Sequence, residues 1–326
     1  MEKIRWGILS TGNIARQFAH GLAALDDAEL VAVGSRSAAS ANQFGDEFNV
    51  ANRHASYEAL ASDPAVDAIY VATPHTLHAE NTLLCLRAGK AVLCEKPFAI
   101  NAAETTTMIA EARTRGVFLM EAMWTRFLPH MVRIRELIHA GAIGDVRMLN
   151  STFGFRTEFD PKGRLFDPAL GGGALLDVGI YPVSFAAMIF GTPTFITSHA
   201  TIGATGVDEQ VAMIFGYDQG QIALLASATR TQTIHTSQIL GTKGQIIVEP
   251  PWWGPSSLTL KVDGQPDQYM AFDTIGNGYN YEAAEVARCL RAGKIESEVM
   301  PLDETLALMK TLDTIRGQWG LRYPGE

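Results

Sequence analysis

Lys96 follows an apolar run and a carboxylate, in Val92-Leu93-Cys94-Glu95-Lys96-Pro97-Phe98. A cation at the C-terminal end of a sheet strand stands where open α/β folds bind their ligands. An ammonium there can hand a proton to an oxygen or steady a developing negative charge. A free lysine has a pKa of about 10.4, so service as a base at neutral pH requires desolvation or nearby positive charge. Farther along, Gly171-Gly172-Gly173-Ala174-Leu175-Leu176-Asp177-Val178-Gly179-Ile180-Tyr181-Pro182 sets an acid and a phenol at i,i+4 spacing, which one helical face would present together. Asp177 could accept from a substrate hydroxyl or orient Lys96, and Tyr181 could donate to a reacting oxygen.

A second set of residues has the chemistry of phosphate binding. Strand Ile4–Leu9 leads into Ser10-Thr11-Gly12-Asn13-Ile14-Ala15 and then a helical stretch over 14–25. Gly12 lets backbone approach a pyrophosphate that faces the helix N-terminal amides, and Ala15 allows close helix packing. Ser10 takes the place of the usual first glycine of the dinucleotide fingerprint. After the next strand come Ser35-Arg36-Ser37, where an NAD-selective site commonly has an acid. Two hydroxyls and a guanidinium suit an adenosine 2'-phosphate, so the expected cofactor is NADP(H). Thr73-Pro74-His75 at a third strand end could border the nicotinamide, with His78, Glu95 and Lys96 in the same zone. His75 and His78 lack a neighbouring carboxylate or cysteine to complete a metal site; local hydrogen bonding is the expectation, and no metal.

The elements that position these residues alternate through the first part of the chain. Helices over 38–48, 79–88 and 102–114, with strands over 68–72, 91–94 and 117–120, spell a parallel βαβ array ending at Glu121. The rhythm then changes to strands over 146–155, 195–202, 209–217, 221–228, 231–240 and 244–249, extended by 258–262 and 268–272. The expected fold is an α/β Rossmann-type parallel sheet domain, residues 1–122, followed by an α+β domain with a large, mainly antiparallel open sheet, residues 123–326. The last helix, over 302–316, could return to the first domain. An open sheet covered on one face leaves another for a partner, so a homodimer or homotetramer through it is expected.

With 326 residues the chain is long enough for two domains. A net charge of −9 with scattered Lys and Arg argues against nucleic acid and anionic membranes. Cys85, Cys94 and Cys289 form neither a disulfide framework nor a zinc spacing. No export signal is read at the N-terminus and no uninterrupted apolar run reaches spanning length, so a cytoplasmic location is expected.

These motifs resemble the glucose-fructose oxidoreductase, inositol dehydrogenase and rhizopine-catabolism dehydrogenase (Gfo/Idh/MocA) family over nearly the whole chain. Trp6 to Ala15 looks like its cofactor turn, Glu95-Lys96-Pro97 like its catalytic strand end, and Gly171 to Tyr181 like its substrate-domain helix. Trp6-Gly7-Ile8, Glu121-Ala122-Met123-Trp124-Thr125-Arg126-Phe127 and Leu176-Asp177-Val178-Gly179-Ile180-Tyr181-Pro182 look closest to its dimeric dihydrodiol dehydrogenase and NADP-dependent D-xylose 1-dehydrogenase branch. Many relatives have histidine where Tyr181 stands, a departure that disfavours inositol oxidation.

The resemblance implies reversible hydride transfer between nicotinamide C4 and a carbon bearing oxygen. Lys96 would exchange the proton, Tyr181 would assist and Asp177 would orient them; in the alternative assignment Tyr181 is the direct donor and Lys96 its electrostatic support. Arg126, Arg156, Asp160 and Arg164 offer polar contacts to a pyranose, and Trp124, Phe155 and Phe159 could pack on a sugar or an aromatic diol. A small sugar or sugar derivative is the first expectation. A trans-dihydrodiol, an anhydro-keto sugar and a nonenzymatic NADP-sensing role are the alternatives.

Overall fold

The structure, a computed structural model, describes residues 2–326. Two compact units emerge: the chain up to Trp124 together with Ile275–Leu306, and Thr125–Thr274 together with Ala307–Glu326.

In the first unit, apolar runs become strands and capped amphipathic stretches become the crossovers between them. The strands are β1 (Ile4–Leu9), β2 (Ala28–Gly34), β3 (Asn52–His54), β4 (Ala68–Val71), β5 (Ala91–Glu95) and β6 (Leu119–Ala122). Between them run α1 (Asn13–Leu22), α2 (Ala38–Phe48), α3 (Tyr57–Ala61), α4 (His78–Arg87) and α5 (Ala102–Arg115). Ser37, Ser56 and Asn101 cap α2, α3 and α5 by accepting the amides of Ser40, Ala59 and Glu104. All neighbouring strands are parallel, in the order β3-β2-β1-β4-β5-β6. The order reverses between β1 and β4, the switch point at which such sheets bind dinucleotides beyond their strand C-termini. Phe18 of α1 stacks on Tyr70 of β4 with centroids 3.8 Å apart, and Trp6 meets Phe18 edge-on. Buried aromatic pairs of this kind fix helix to sheet.

The second unit holds α6 (Pro129–His139), β7 (Val146–Gly154), α7 (Ile180–Phe190), β8 (Phe195–Ile202), β9 (Asp208–Gly216), β10 (Ile222–Ala228), β11 (Ser237–Gly241), β12 (Gly244–Val248), β13 (Leu258–Val262) and β14 (Gln268–Met270). Its sheet runs β14-β13-β12-β11-β7-β10-β9-β8, antiparallel throughout except for the β7–β10 pair. The strand expected over 231–240 begins only at Ser237. Before it, the Thr233 amide donates to the Gly154 carbonyl and His235 takes a left-handed φ of 56°, which bends the chain out of the ladder.

Helix α8 (Tyr279–Arg291) belongs to the first unit, where it packs on α1, and α9 (Leu302–Gly317) completes the chain. One expectation is corrected. The helical run Pro168–Phe190 is long and apolar enough to cross a membrane, yet 78% of its most apolar window is buried within the protein, as in a core helix.

Candidate functional site

The first unit gathers its chemistry at the C-terminal ends of β1, β2, β4 and β5. Between β1 and α1, Ser10 adopts φ 98°, the region glycine favours, so the serine reproduces the turn expected of a glycine. Thr11, Gly12, Asn13 and Ile14 follow. Gly12 precedes α1 with no side-chain cap, no acid stands in the helix's first turn, and a Cβ added at Gly12 would meet nothing within 4 Å. Free amides, open space and no opposing charge suit a pyrophosphate.

Arg36 is exposed just beyond β2, between buried Ser35 and exposed Ser37. Tyr57, at the start of α3, stands within electrostatic reach of Arg36 and close to Ser10. Burial raises the Tyr57 pKa while Arg36 and Ser10 oppose the rise. Phosphate turn and guanidinium thus share a neighbour that the sequence did not single out.

At the ends of β4 and β5 the bonds are tighter. His78, expected to border the nicotinamide, is wholly buried and sits between the carbonyl oxygens of Thr73 (2.8 Å) and Pro97 (2.7 Å). Burial pushes its pKa down to about 4, with Lys96 adding to the fall, so it is neutral at pH 7 and donates to one carbonyl at a time. Its structural work is to join the Thr73 and Lys96–Pro97 turns. Pro74 and His75 are half-buried beside it, with the His75 ring edge-on to His78 at 5.7 Å. Glu95 is likewise buried; its Oε1 accepts from the Tyr70 hydroxyl and its Oε2 from the Lys96 amide at 3.0 Å. Lys96 is half-buried, and the Lys96–Pro97 bond is cis. Trp124 is buried and stacked on Tyr279 at 4.5 Å, which spends its face on packing.

In the second unit, Leu175–Gly179 is wound as a π-helical turn that continues into α7. Such turns are rare and recur at functional sites. Asp177 lies in the turn and Tyr181 in the first turn of α7; both are buried, at 5% and 7% exposure. Arg164 donates to Asp177 Oδ1 at 2.8 Å from an exposed position, so two residues expected to share the site do meet. Tyr181 has Phe153 edge-on at 5.3 Å, and Phe153 stacks on Trp253 at 4.3 Å with His235 beside both. Phe153 and His235 escaped the sequence reading because alternation in β7 marks Phe153 as core, and His235 is brought in by a loop.

The remaining expected contacts are placed as follows. Arg126, expected to contact substrate, is buried and donates to Ser184 Oγ and to the Ser184 carbonyl, which ties it to α7. Phe155 is half-buried near Phe153, and Arg156 is exposed. Phe159 is exposed with the Arg230 guanidinium 5.6 Å from its ring centre, while Asp160 accepts the Lys162 amide.

Known proteins carry the same organisation. Residues 4–123 match the oxidoreductase family, NAD-binding Rossmann fold, and residues 131–247 match the GFO/IDH/MocA C-terminal domain. The chain is 40% identical over 335 aligned positions to trans-1,2-dihydrobenzene-1,2-diol dehydrogenase of Mus musculus, covering 99% of both. An aldose-aldose oxidoreductase from Caulobacter crescentus superposes with TM-score 0.88 at 25% identity over 98% of each chain. A 3-ketoreductase from Actinomadura kijaniata, solved with NADP, superposes with TM-score 0.86 at 24% identity over 97% of this chain and 98% of that one. Two matched domains and full-length similarity place the chain in the Gfo/Idh/MocA oxidoreductase family, as an NADP-dependent dehydrogenase or reductase.

Proposed function

We propose that this protein oxidises a small cyclic trans-diol with NADP, as a trans-dihydrodiol dehydrogenase. The observation that carries the reading is the 40% identity, over 99% of both chains, to an enzyme named for that activity. The aromatic group of Phe153, Trp253 and Tyr181 supports it, since flat rings suit an unsaturated carbocycle. This displaces the sugar as the first choice. An aldose is the second reading, favoured by the resemblance in fold to an aldose-aldose oxidoreductase and by the Arg164–Asp177 pair, which could bind hydroxyls.

NADP supplies the hydride acceptor at nicotinamide C4. Ser10 to Ile14 and Arg36 bind its phosphates, while Lys96 takes the hydroxyl proton, Tyr181 assists and Asp177 orients. In the reverse direction Lys96 returns the proton to the carbonyl oxygen. The active form is a homo-oligomer joined through the second unit's open sheet face.

The test is NADP reduction with trans-1,2-dihydrobenzene-1,2-diol against a panel of aldoses, anhydro-sugars and inositols, repeated with NAD. The diol with NADP should have the highest kcat/KM; an aldose above it would install the second reading. Lys96→Ala should lower kcat by about a hundredfold or more, within the usual range for general acid–base catalysis, with NADP binding retained. Undiminished turnover in that variant would remove the role given to Lys96.

A further inference from the structure

Asp208, the first residue of β9, is wholly buried without a cationic partner. Its Oδ2 accepts the Leu175 amide at 2.7 Å, the first residue of the π-helical turn, and the Ala174 amide also faces the carboxylate. Its Oδ1 has no hydrogen-bond partner. Gly173 lies against that oxygen at φ 121°, and a Cβ there would strike it, so glycine is required both for the backbone and for the carboxylate's room. Its ionisable neighbour is Tyr323, whose hydroxyl donates to the Gly172 carbonyl; behind Tyr323 stand Arg316 and Glu326, paired with each other.

A buried, half-satisfied carboxylate works against stability. Retained at the start of a functional turn, it has a positioning use. We propose that Asp208 is a positioning residue for the reaction: it anchors the first amide of the π-helical turn and so sets where Asp177 and Tyr181 stand.

This rests on the roles given above to Asp177 and Tyr181. The carboxylate is the stronger anchor, because charged acceptors bind amides more tightly than neutral ones. Burial pushes the Asp208 pKa up to about 7 against the pull of the Leu175, Asp208 and Ala174 amides. Anchoring therefore weakens as pH falls through neutrality.

The experiment compares wild type, Asp208→Asn and Asp208→Ala in kcat, KM and NADP affinity from pH 5.5 to 9, with Tyr181→Phe and Lys96→Ala alongside. Asp208→Ala should lose about tenfold or more in kcat, since misplacement by about an ångström can cost on the order of a hundredfold. NADP affinity should hold. Asp208→Asn, which keeps an acceptor, should recover much of the loss and abolish the inflection near pH 7. Unchanged kcat in both variants, or an inflection that persists in Asp208→Asn, overturns the proposal. Should Asp208→Ala fail to fold, the Asp208→Asn profile decides alone. Full activity in Lys96→Ala and Tyr181→Phe would instead overturn the reading beneath it, whatever Asp208 does.

Discussion

The Tyr70 hydroxyl donates to Glu95 Oε1 inside the first unit, while the other oxygen of Glu95 holds the Lys96 amide at 3.0 Å. A core tyrosine of β4 thereby holds the carboxylate that holds the backbone of the proposed proton carrier. Tyr70→Phe removes a hydrogen-bond donor from a buried carboxylate and should cost about 1–3 kcal/mol, measured by urea denaturation. Its kcat should fall more than its affinity for NADP.

Glu282 of α8 lies within electrostatic reach of Glu95, wholly buried, and neither of its oxygens has a hydrogen-bond partner. Burial first, and the Glu95 charge second, raise its pKa well above the usual carboxylate value, which favours a protonated Glu282. A raised folded-state pKa contributes stability at low pH that is lost as pH climbs through it. Glu282→Gln cannot ionise, so its melting temperature relative to wild type should rise between pH 6 and pH 9. A constant difference over that range would contradict this assignment.

Much of this frame was legible in the sequence, because most of the Rossmann strands are apolar runs closed by turn chemistry and α2, α3 and α5 carry their own caps. Asn52–His54 was missed, since three polar residues at the sheet edge carry no apolar signature. The i,i+4 spacing of Asp177 and Tyr181 announced a helix, but nothing local announces a π-helical turn or its anchor Asp208, which comes from a distant strand. Phe153 and Tyr70 read as core and are core; what they touch is set by tertiary packing. Tyr57 was visible as part of a helix, whereas its nearness to Arg36 depends on how β1, β2 and α3 assemble.

Ser10 holds a left-handed φ that costs a side-chain-bearing residue about 1–2 kcal/mol. Ser10→Val should destabilise the protein by about that much or more in thermal unfolding, because a β-branched side chain tolerates the region least. Ser10→Gly relieves the strain but adds conformational freedom to the unfolded chain, so it should stay within about 1 kcal/mol of wild type and keep NADP binding.

In the proposed function, NADP preference turns on Arg36. Arg36→Ala should weaken NADP by about ten- to a hundredfold, the worth of a charge-assisted bond of about 1.5–3 kcal/mol, and leave NAD nearly unchanged in a fluorescence titration. Tyr57→Phe removes a hydroxyl beside Arg36 and should shift the same ratio in the same direction by a smaller factor.

Two histidines set the acid limit. Burial pushes His78 and His130 down to about 4. A depressed folded-state pKa means stability present above the unfolded value near 6.5 and lost as pH falls toward 4. Each contributes up to about 3 kcal/mol over that window. Chemical denaturation at pH 7, 5.5 and 4.5 should show the decline. His130→Gln, able to keep a bond to the Trp252 carbonyl, should flatten part of it.

The open face of the second unit's sheet is tested through Ile214 and Leu224, cross-strand partners on β9 and β10 that are 44% and 40% exposed. Their neighbours Met213, Phe215, Ala223 and Leu225 alternate to the buried side, so the exposed pair belongs to a second apolar surface of the same strands. Ile222 and Ile234 widen it. Contiguous apolar surface on a flat sheet marks an interaction site, and a second copy offers the matching face by two-fold symmetry. Leu224→Lys combined with Ile214→Lys sets like charges side by side across that contact. Sedimentation should then show monomers where wild type sediments as an oligomer, while near-ultraviolet circular dichroism stays native. A wild type that is monomeric at every concentration would remove the partner assigned to this face.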